Sequence, residues 1–129
     1  SLEQKVDSIF DNQSNSIYPP SGRGFTRDNR IKPDIVAPAV SVYAPNTTGG
    51  FTGKSGTSIG AALTAGCCAQ MLQWGYVQGN EPYMRTNYIK NYLIRGAKRD
   101  SSRTYPNREW GFGTLDLYGV FRNLQTQIF

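Results

Sequence analysis

A serine at the start of a predicted helix is the side chain in this sequence best suited to chemistry. Ser58 follows the glycine-containing approach Lys54–Gly56 and opens a helix made mostly of small residues. Its hydroxyl either caps free backbone N–H groups, the commoner role of such a serine, or is presented with those donors to a substrate carbonyl. Ser58 is therefore a candidate nucleophile, and the local sequence leaves both interpretations open.

The absence of histidine limits how this serine would be activated. A serine hydroxyl is a poor nucleophile until a neighbouring base takes its proton, and histidine is the commonest base. The 129 residues include no histidine. This chain therefore cannot hold a Ser-His-Asp triad by itself.

The residues before Ser58 predict short extended elements. Prolines bracket an apolar segment, which indicates a brief buried strand at Ile35–Ala37. Val40–Ala44 alternates in polarity, and the turn-forming cluster Asn46–Gly50 separates it from Phe51–Lys54. This order predicts a β-hairpin whose second arm leads to the serine.

The predicted nucleophile helix runs from Thr57 or Ser58 to about Trp74. It is apolar or small all round, which is typical of a buried helix. Gly66 lowers its helix propensity, so we expect close packing against another backbone at that point. Gly75 is expected to end the helix.

Two further helices are predicted towards the end of the chain. One runs from about Thr86 to Ala97, and the other from Leu115 to about Leu124. A glycine-framed corner, Trp110–Gly113, lies between them. The apolar faces expected to pack inward are Tyr88, Ile89, Tyr92 and Leu93 on the first helix, and Leu117, Val120, Phe121 and Leu124 on the second.

Charge and hydropathy argue against nucleic-acid and membrane partners. The formal net charge is +5, from 14 basic and 9 acidic residues, but most of the basic residues are scattered. Arg95, Lys98, Arg99 and Arg103 do crowd together, at a helix C-terminus, where the helix dipole favours cations. No apolar run is long enough to cross a bilayer, and the N-terminus is not a signal peptide. Because no initiator Met is present, we expect the chain to begin partway through a longer product.

The two cysteines, Cys67 and Cys68, are adjacent within the predicted helix. Successive helical side chains point about 100° apart, so a bridge between them would be strained. We interpret them as two buried free thiols, which favours a reducing compartment. The sequence has no CxxC pair and no histidine, so no metal site is predicted.

Three blocks in order resemble the C-terminal part of the catalytic domain of subtilisin-like serine proteases. They are Ser21–Thr26 leading to Lys32–Pro38, the corner Gly56–Ser58 with its helix, and Trp110–Asp116. A lone Gly-Thr-Ser would be weak evidence for this family, but the order and spacing of all three blocks are specific to it. The resemblance covers about Ser21–Leu124. Details of the later loops look most like the bacterial, clostridial-type branch that includes spore-germination proteases.

The resemblance implies an α/β fold that forms the C-terminal portion of a subtilisin-like fold. Its expected parts are a short strand, a β-hairpin, a buried nucleophile helix and two further helices, with an incomplete parallel sheet. We expect 1–129 to be a single partial domain. Within it, 1–20 is a lead-in loop or helix tail, 21–124 is the subtilase segment and 125–129 is a tail.

By the same resemblance, Ser58 is the nucleophile and its backbone N–H is an oxyanion donor. Thr57 is an accessory donor near the oxyanion, and Gly56 is the glycine of the nucleophile loop. The triad Asp and His and the oxyanion Asn of the family lie upstream of this sequence. The implied function is that of a serine endopeptidase fragment that hydrolyses peptide bonds through an acyl-enzyme on Ser58 and is inactive alone.

The implied partners are a protein or peptide substrate, the missing upstream part of the catalytic domain, and further copies of the fragment through self-association. No cofactor is identified, and the calcium sites of the family cannot be placed here. The cysteines favour a reducing or spore-internal compartment, whereas family membership also allows secretion.

The helix departs from the family pattern Gly-Thr-Ser-Met-Ala/Ser-x-Pro-His-Val-Ala-Gly. Ile59 replaces Met, Ala62 replaces Pro and Leu63 replaces His, although that His is not the triad base. An alternative is therefore a non-catalytic relative that acts as a binding or sensing module. An upstream Asp-containing strand end and a His-containing segment would distinguish the protease from this alternative.

Overall fold

The computed structural model describes residues 16–128, and the side chains of residues 16–126. Most of the predicted lead-in, residues 1–15, lies outside the described residues. The elements are β1 (Val42–Pro45), β2 (Phe51–Lys54), α1 (Thr57–Leu72), a π-helical turn (Gln73–Val77), α2 (Thr86–Gly96) and α3 (Leu117–Ile128).

The predicted β-hairpin is confirmed. β1 and β2 pair antiparallel in a register that runs from Val42 opposite Lys54 to Pro45 opposite Phe51. Asn46 forms the turn, because its side-chain Oδ1 accepts hydrogen bonds from the N–H groups of Thr48 (3.0 Å) and Gly50 (2.9 Å). Two residues, Ser55 and Gly56, separate the end of the hairpin from α1.

The strand predicted at Ile35–Ala37 is reduced to a single parallel bridge between Val36 and Thr114. The Val36 N–H donates to the Gly113 carbonyl at 3.0 Å, and the Val36 carbonyl accepts from the Leu115 N–H at 2.7 Å. Prolines on both sides of this segment cannot donate to a ladder, which keeps it short. The parallel sheet of the described residues is thus incomplete, as predicted.

The core lies where α2 and α3 pack together. Its buried members are Met71, Met84, Tyr92, Leu93, Val120 and Leu124. The helices approach closely at Gly96, where a Cβ would lie 2.5 Å from the backbone N of Val120. The predicted inward faces are largely confirmed, but Tyr88 is 51% exposed. α3 begins two residues later than predicted, at Leu117, and extends to Ile128.

Arg99 explains part of the basic cluster after α2. Its guanidinium donates to the carbonyl of Ile94 in the last turn of α2 (2.8 Å) and to the carbonyl of Phe112 (2.7 Å). It thus adds a second hydrogen bond to a carbonyl of the last helical turn, which also accepts from the Ala97 N–H at 3.3 Å. Arg103 lies 4.2 Å over the Trp110 ring and pairs with Asp100 at 3.2 Å. These contacts give Arg99 and Arg103 structural roles.

The prediction of a buried nucleophile helix is wrong for this chain. Only Gly60 and Met71 of α1 are buried, and the small residues Ala61, Ala62, Ala65 and Ala69 are exposed. At Gly66, an added Cβ would meet no described atom within 4 Å. An apolar surface all round a helix requires covering on every side, and the described residues cover only part of it.

The sequence predicts that Gly75 ends α1, and this prediction is wrong. The chain continues from Leu72 into the π-helical turn, and Gly75 is buried there. A Cβ at this position would lie 3.2 Å from the Met84 Cβ and 3.3 Å from the Glu81 carbonyl oxygen. Gly75 therefore allows the loop after α1 to pack against the turn.

Candidate active site

Ser58 is the second residue of α1 and lies at an exposed corner. The preceding Gly56 is the N-cap residue, with φ 155° and ψ 153°, and no side chain caps the helix start. The φ angle of Gly56 is one that residues with a Cβ rarely adopt. Since the cap position belongs to a glycine, the Ser58 hydroxyl does not serve as the helix cap.

The start of α1 offers hydrogen-bond donors to a ligand. The first N–H groups of a helix have no carbonyl partner within it. The Ile59 N–H donates to the Gly56 carbonyl at 3.0 Å. Among the described residues, no hydrogen bond satisfies the N–H groups of Thr57 and Ser58 or the Ser58 hydroxyl. A hydroxyl and a free N–H donor therefore lie on the same residue, next to a second free donor.

The corner is anchored on the segment that follows the extended residues. The Gly56 N–H donates to the Ala39 carbonyl at 2.8 Å. Gly60, one turn into α1, is buried, and a Cβ there would lie 3.6 Å from the Cβ atoms of Ala37 and Ala39. The sequence analysis missed this contribution of Ala37 and Ala39. The small residues on either side of Pro38 were the available signal.

A groove of about 520 Å³ runs beside the corner. Thr57, Gly60 and Thr64 line it from α1, and Pro33–Ala37 lines it from the extended segment. Ser58 is not among its lining residues. Of the three predicted site residues Gly56–Ser58, Thr57 lines the groove, whereas Gly56 and Ser58 do not.

The glycine-framed corner supports the extended segment from the other side. The Phe112 N–H donates to the Asp34 carbonyl at 2.7 Å. Gly111 has φ 55°, and a Cβ there would lie 2.2 Å from the Pro33 carbonyl oxygen. Only glycine fits this approach. The three sequence blocks that suggested a family are therefore stacked in order, from the glycine corner to the extended segment to the start of α1.

Comparison with known sequences identifies the family. The sequence model of the subtilase family matches residues 5–113, a span that includes Ser58 and most of the described loops. The chain belongs to the subtilase family. This subtilase chain is similar to the C5a peptidase of Streptococcus pyogenes serotype M18 (strain MGAS8232). The two are 29% identical over 102 residues, which cover 74% of this chain and 9% of the relative.

Solved structures support the same fold. The CspB protease of Clostridium perfringens is 38% identical, with a TM-score of 0.83 over 88% of this chain and 24% of that protein. The patellamide maturation protease PatA shares the fold with a TM-score of 0.53 at 23% identity, over 71% of this chain and 34% of that one. The subtilase chain therefore spans about a quarter of the CspB protease and less of the C5a peptidase.

One carboxylate lies near the groove of this subtilase chain. Partial burial raises the pKa of Asp34, but ion pairs with Lys32 (2.8 Å) and Lys90 (3.5 Å) outweigh that effect and hold the pKa below its usual value. A carboxylate paired with two lysines is a weak base. Asp34 instead links the extended segment to α2.

The cysteines are free, as predicted, but half-buried rather than buried. Burial raises the pKa of both thiols, and the neighbouring Cys68 adds to the rise at Cys67. Across residues 16–128, no group of three His, Cys, Asp or Glu side chains could hold a metal ion. None of the helices described is long and apolar enough to span a membrane.

Proposed function

We propose that this chain carries the nucleophile of a subtilisin-like serine endopeptidase. The observation that carries the proposal is the position of Ser58, exposed at the second residue of α1, beyond a glycine N-cap and beside N–H groups for which the described residues provide no acceptor. In this reaction the Ser58 Oγ attacks the scissile carbonyl and forms an ester, while a base takes the hydroxyl proton and returns it to the leaving amine. Water then hydrolyses the ester.

The first turn of α1 supplies the electrostatic part of this proposal. As the carbonyl oxygen becomes an oxyanion, the Ser58 N–H donates to it, and the Thr57 hydroxyl is an accessory donor. Donors fixed by a helix start need no reorganisation during the reaction, which is why such groups lower barriers effectively. Gly56 allows the approach to the helix without a side chain at the corner.

The base is proposed to lie outside these residues, because the chain has no histidine. The small share of each relative that the chain spans supports an origin in a longer protein. We infer that upstream segments contribute the triad His and Asp and a second oxyanion donor, and that 1–129 is one part of the catalytic domain. Alone, the chain is inactive, since losing the base or a donor each costs orders of magnitude in rate.

The exposed face of α1 supports the same inference. Ala61, Ala65 and Gly66 are small, and the described residues leave them exposed. We propose that upstream segments cover this face in the longer protein. In their absence, the 129-residue chain hides the face by self-association.

Peptide hydrolysis by the longer protein tests the proposal. We expect the wild type to cleave an unstructured protein substrate, such as casein, and Ser58→Ala to lose at least about 10³-fold in rate. Ser101→Ala changes an exposed loop serine and serves as the matched control, with wild-type activity expected. Hydrolysis retained by Ser58→Ala would overturn the nucleophile assignment. An inactive longer protein that lacks the upstream His and Asp would instead overturn the protease proposal and favour the non-catalytic binding or sensing module.

A further inference from the structure

We infer that Ser55 is a positioning residue for the nucleophile corner, acting through a one-residue bulge at the base of the hairpin. This inference rests on the proposed function of Ser58. It concerns a hydrogen bond between residues that lie outside the helix and outside the groove.

The register shows that an extra residue lies in the first arm. Val42 is opposite Lys54, so the same register would place Val40 opposite Gly56. The Gly56 N–H instead donates to the carbonyl of Ala39, one residue further back. Two residues of the first arm thus occupy the space of one, which defines a β-bulge. Bulges of this kind occur next to active sites, where they change the direction of the chain.

The bulge contains an unfavourable backbone conformation. Ser41 has φ 53°, in the left-handed region that residues with a Cβ disfavour. Its N–H donates to the Ser55 side-chain Oγ at 2.9 Å. A serine hydroxyl, rather than a backbone carbonyl, therefore accepts the hydrogen bond from the displaced residue.

Ser55 connects this bulge to the nucleophile. It lies between Lys54, the last residue of β2, and Gly56, the N-cap of α1. Two hydrogen bonds, Ser41 N–H to Ser55 Oγ and Gly56 N–H to the Ala39 carbonyl, hold consecutive residues of the second arm against the first. Because α1 starts at the next residue, they fix the direction from which Ser58 and its N–H approach a substrate.

The first experiment is amide hydrogen exchange on the 129-residue chain. We expect Ser55→Ala to increase exchange at the Ser41 amide by about fivefold or more, as the loss of a hydroxyl acceptor implies. Ser55→Thr keeps the acceptor and should retain slow exchange. Ser101→Ala is the matched control and should leave exchange at the Ser41 amide unchanged. Unchanged exchange at the Ser41 amide in Ser55→Ala would overturn the inference.

The second experiment is phosphonylation of Ser58 by a fluorophosphonate in the longer protein, in which the Ser58 Oγ bonds to phosphorus and fluoride leaves. We expect Ser55→Ala to lower the maximal labelling rate constant by about tenfold, because a small misplacement of a reacting atom is costly, and to leave the probe concentration at half-maximal rate unchanged. Adding Ser41→Gly should restore the rate to within about twofold, since glycine adopts a positive φ without help. A purely stabilising role would leave the labelling rate constant of the folded Ser55→Ala variant unchanged.

The two experiments distinguish a failure of the positioning role of Ser55 from a failure of the proposed function of Ser58. If wild-type Ser58 is not labelled, the proposed function and the positioning role fall together, while exchange still reports whether Ser55 holds the bulge. If wild type is labelled and Ser55→Ala exchanges faster but labels at the wild-type rate, the positioning role alone is overturned.

Discussion

Gly66→Ala is expected to have opposite effects in this chain and in the longer protein. In the 129-residue chain, the added Cβ meets no described atom within 4 Å. Replacing a glycine in a helix interior by alanine then stabilises the helix by about 1 kcal/mol, mostly because glycine loses more backbone entropy on folding. The free energy of unfolding of the chain should therefore rise by about that amount.

In the longer protein, the proposed covering of α1 removes or reverses the stabilising effect of Gly66→Ala on the free energy of unfolding. A glycine among alanines on a covered face permits a close backbone approach, and an added methyl group in such a contact costs about 1–3 kcal/mol. After subtraction of the propensity gain, Gly66→Ala should be neutral to destabilising by about 2 kcal/mol. The difference between the two contexts is thus about 1–3 kcal/mol.

Urea denaturation followed by circular dichroism measures both values. The chain must be diluted until light scattering reports a monomer, so that self-association does not cover α1. Gly96→Ala is the control, because its Cβ would lie 2.5 Å from the Val120 backbone N and should destabilise the fold in both contexts. An equal stabilisation by Gly66→Ala in both contexts would refute the covered face.

Three further predictions concern self-association, pH and thiol reactivity. Light scattering should show the 129-residue chain associating as its concentration rises through the micromolar range; a monomer throughout would contradict the exposed-face argument. Because the pKa of Asp34 lies below its usual 3.8, its ion pairs stabilise the fold above about pH 4 and are lost as the pH falls further. Asp34→Asn should therefore cost about 0.5–1 kcal/mol in urea denaturation at pH 7 and little at pH 2; an equal cost at both would contradict the ion-pair account. Iodoacetamide should alkylate Cys67 and Cys68 more slowly at pH 8 than a denatured control, because their raised pKa values reduce the thiolate fraction; equal rates would show that burial does not protect them.

Local sequence predicted those elements whose stabilising interactions are local. The hairpin follows from a turn cluster between two β-prone arms, and Asn46 makes the hydrogen bonds that the turn needs. α2 follows from helical spacing, and its predicted and observed starts agree at Thr86. The glycine corner was also recognisable, because Gly111 adopts a positive φ where a side chain would not fit.

Other features depend on contacts that local patterns do not specify. A helix that is apolar all round indicates that α1 needs covering, but not whether the covering residues belong to the same chain. The π-helical turn that continues from α1 through Gly75 packs closely against Met84. The bulge at Ser41 depends on a hydrogen bond that the Ser41 N–H donates to a side chain 14 positions away. At the site, the sequence placed Ser58 near the helix start, but only the structure assigned the N-cap position to Gly56.

The most direct test of the central claim is the site of covalent modification in the longer protein. After brief treatment with a fluorophosphonate, peptide mass spectrometry should find one adduct per molecule, on Ser58. Ser58→Ala should abolish the adduct, and the 129-residue chain should remain unlabelled over the same time. An adduct on a different serine, or none on a longer protein that cleaves peptides, would contradict the assignment of Ser58 as the nucleophile.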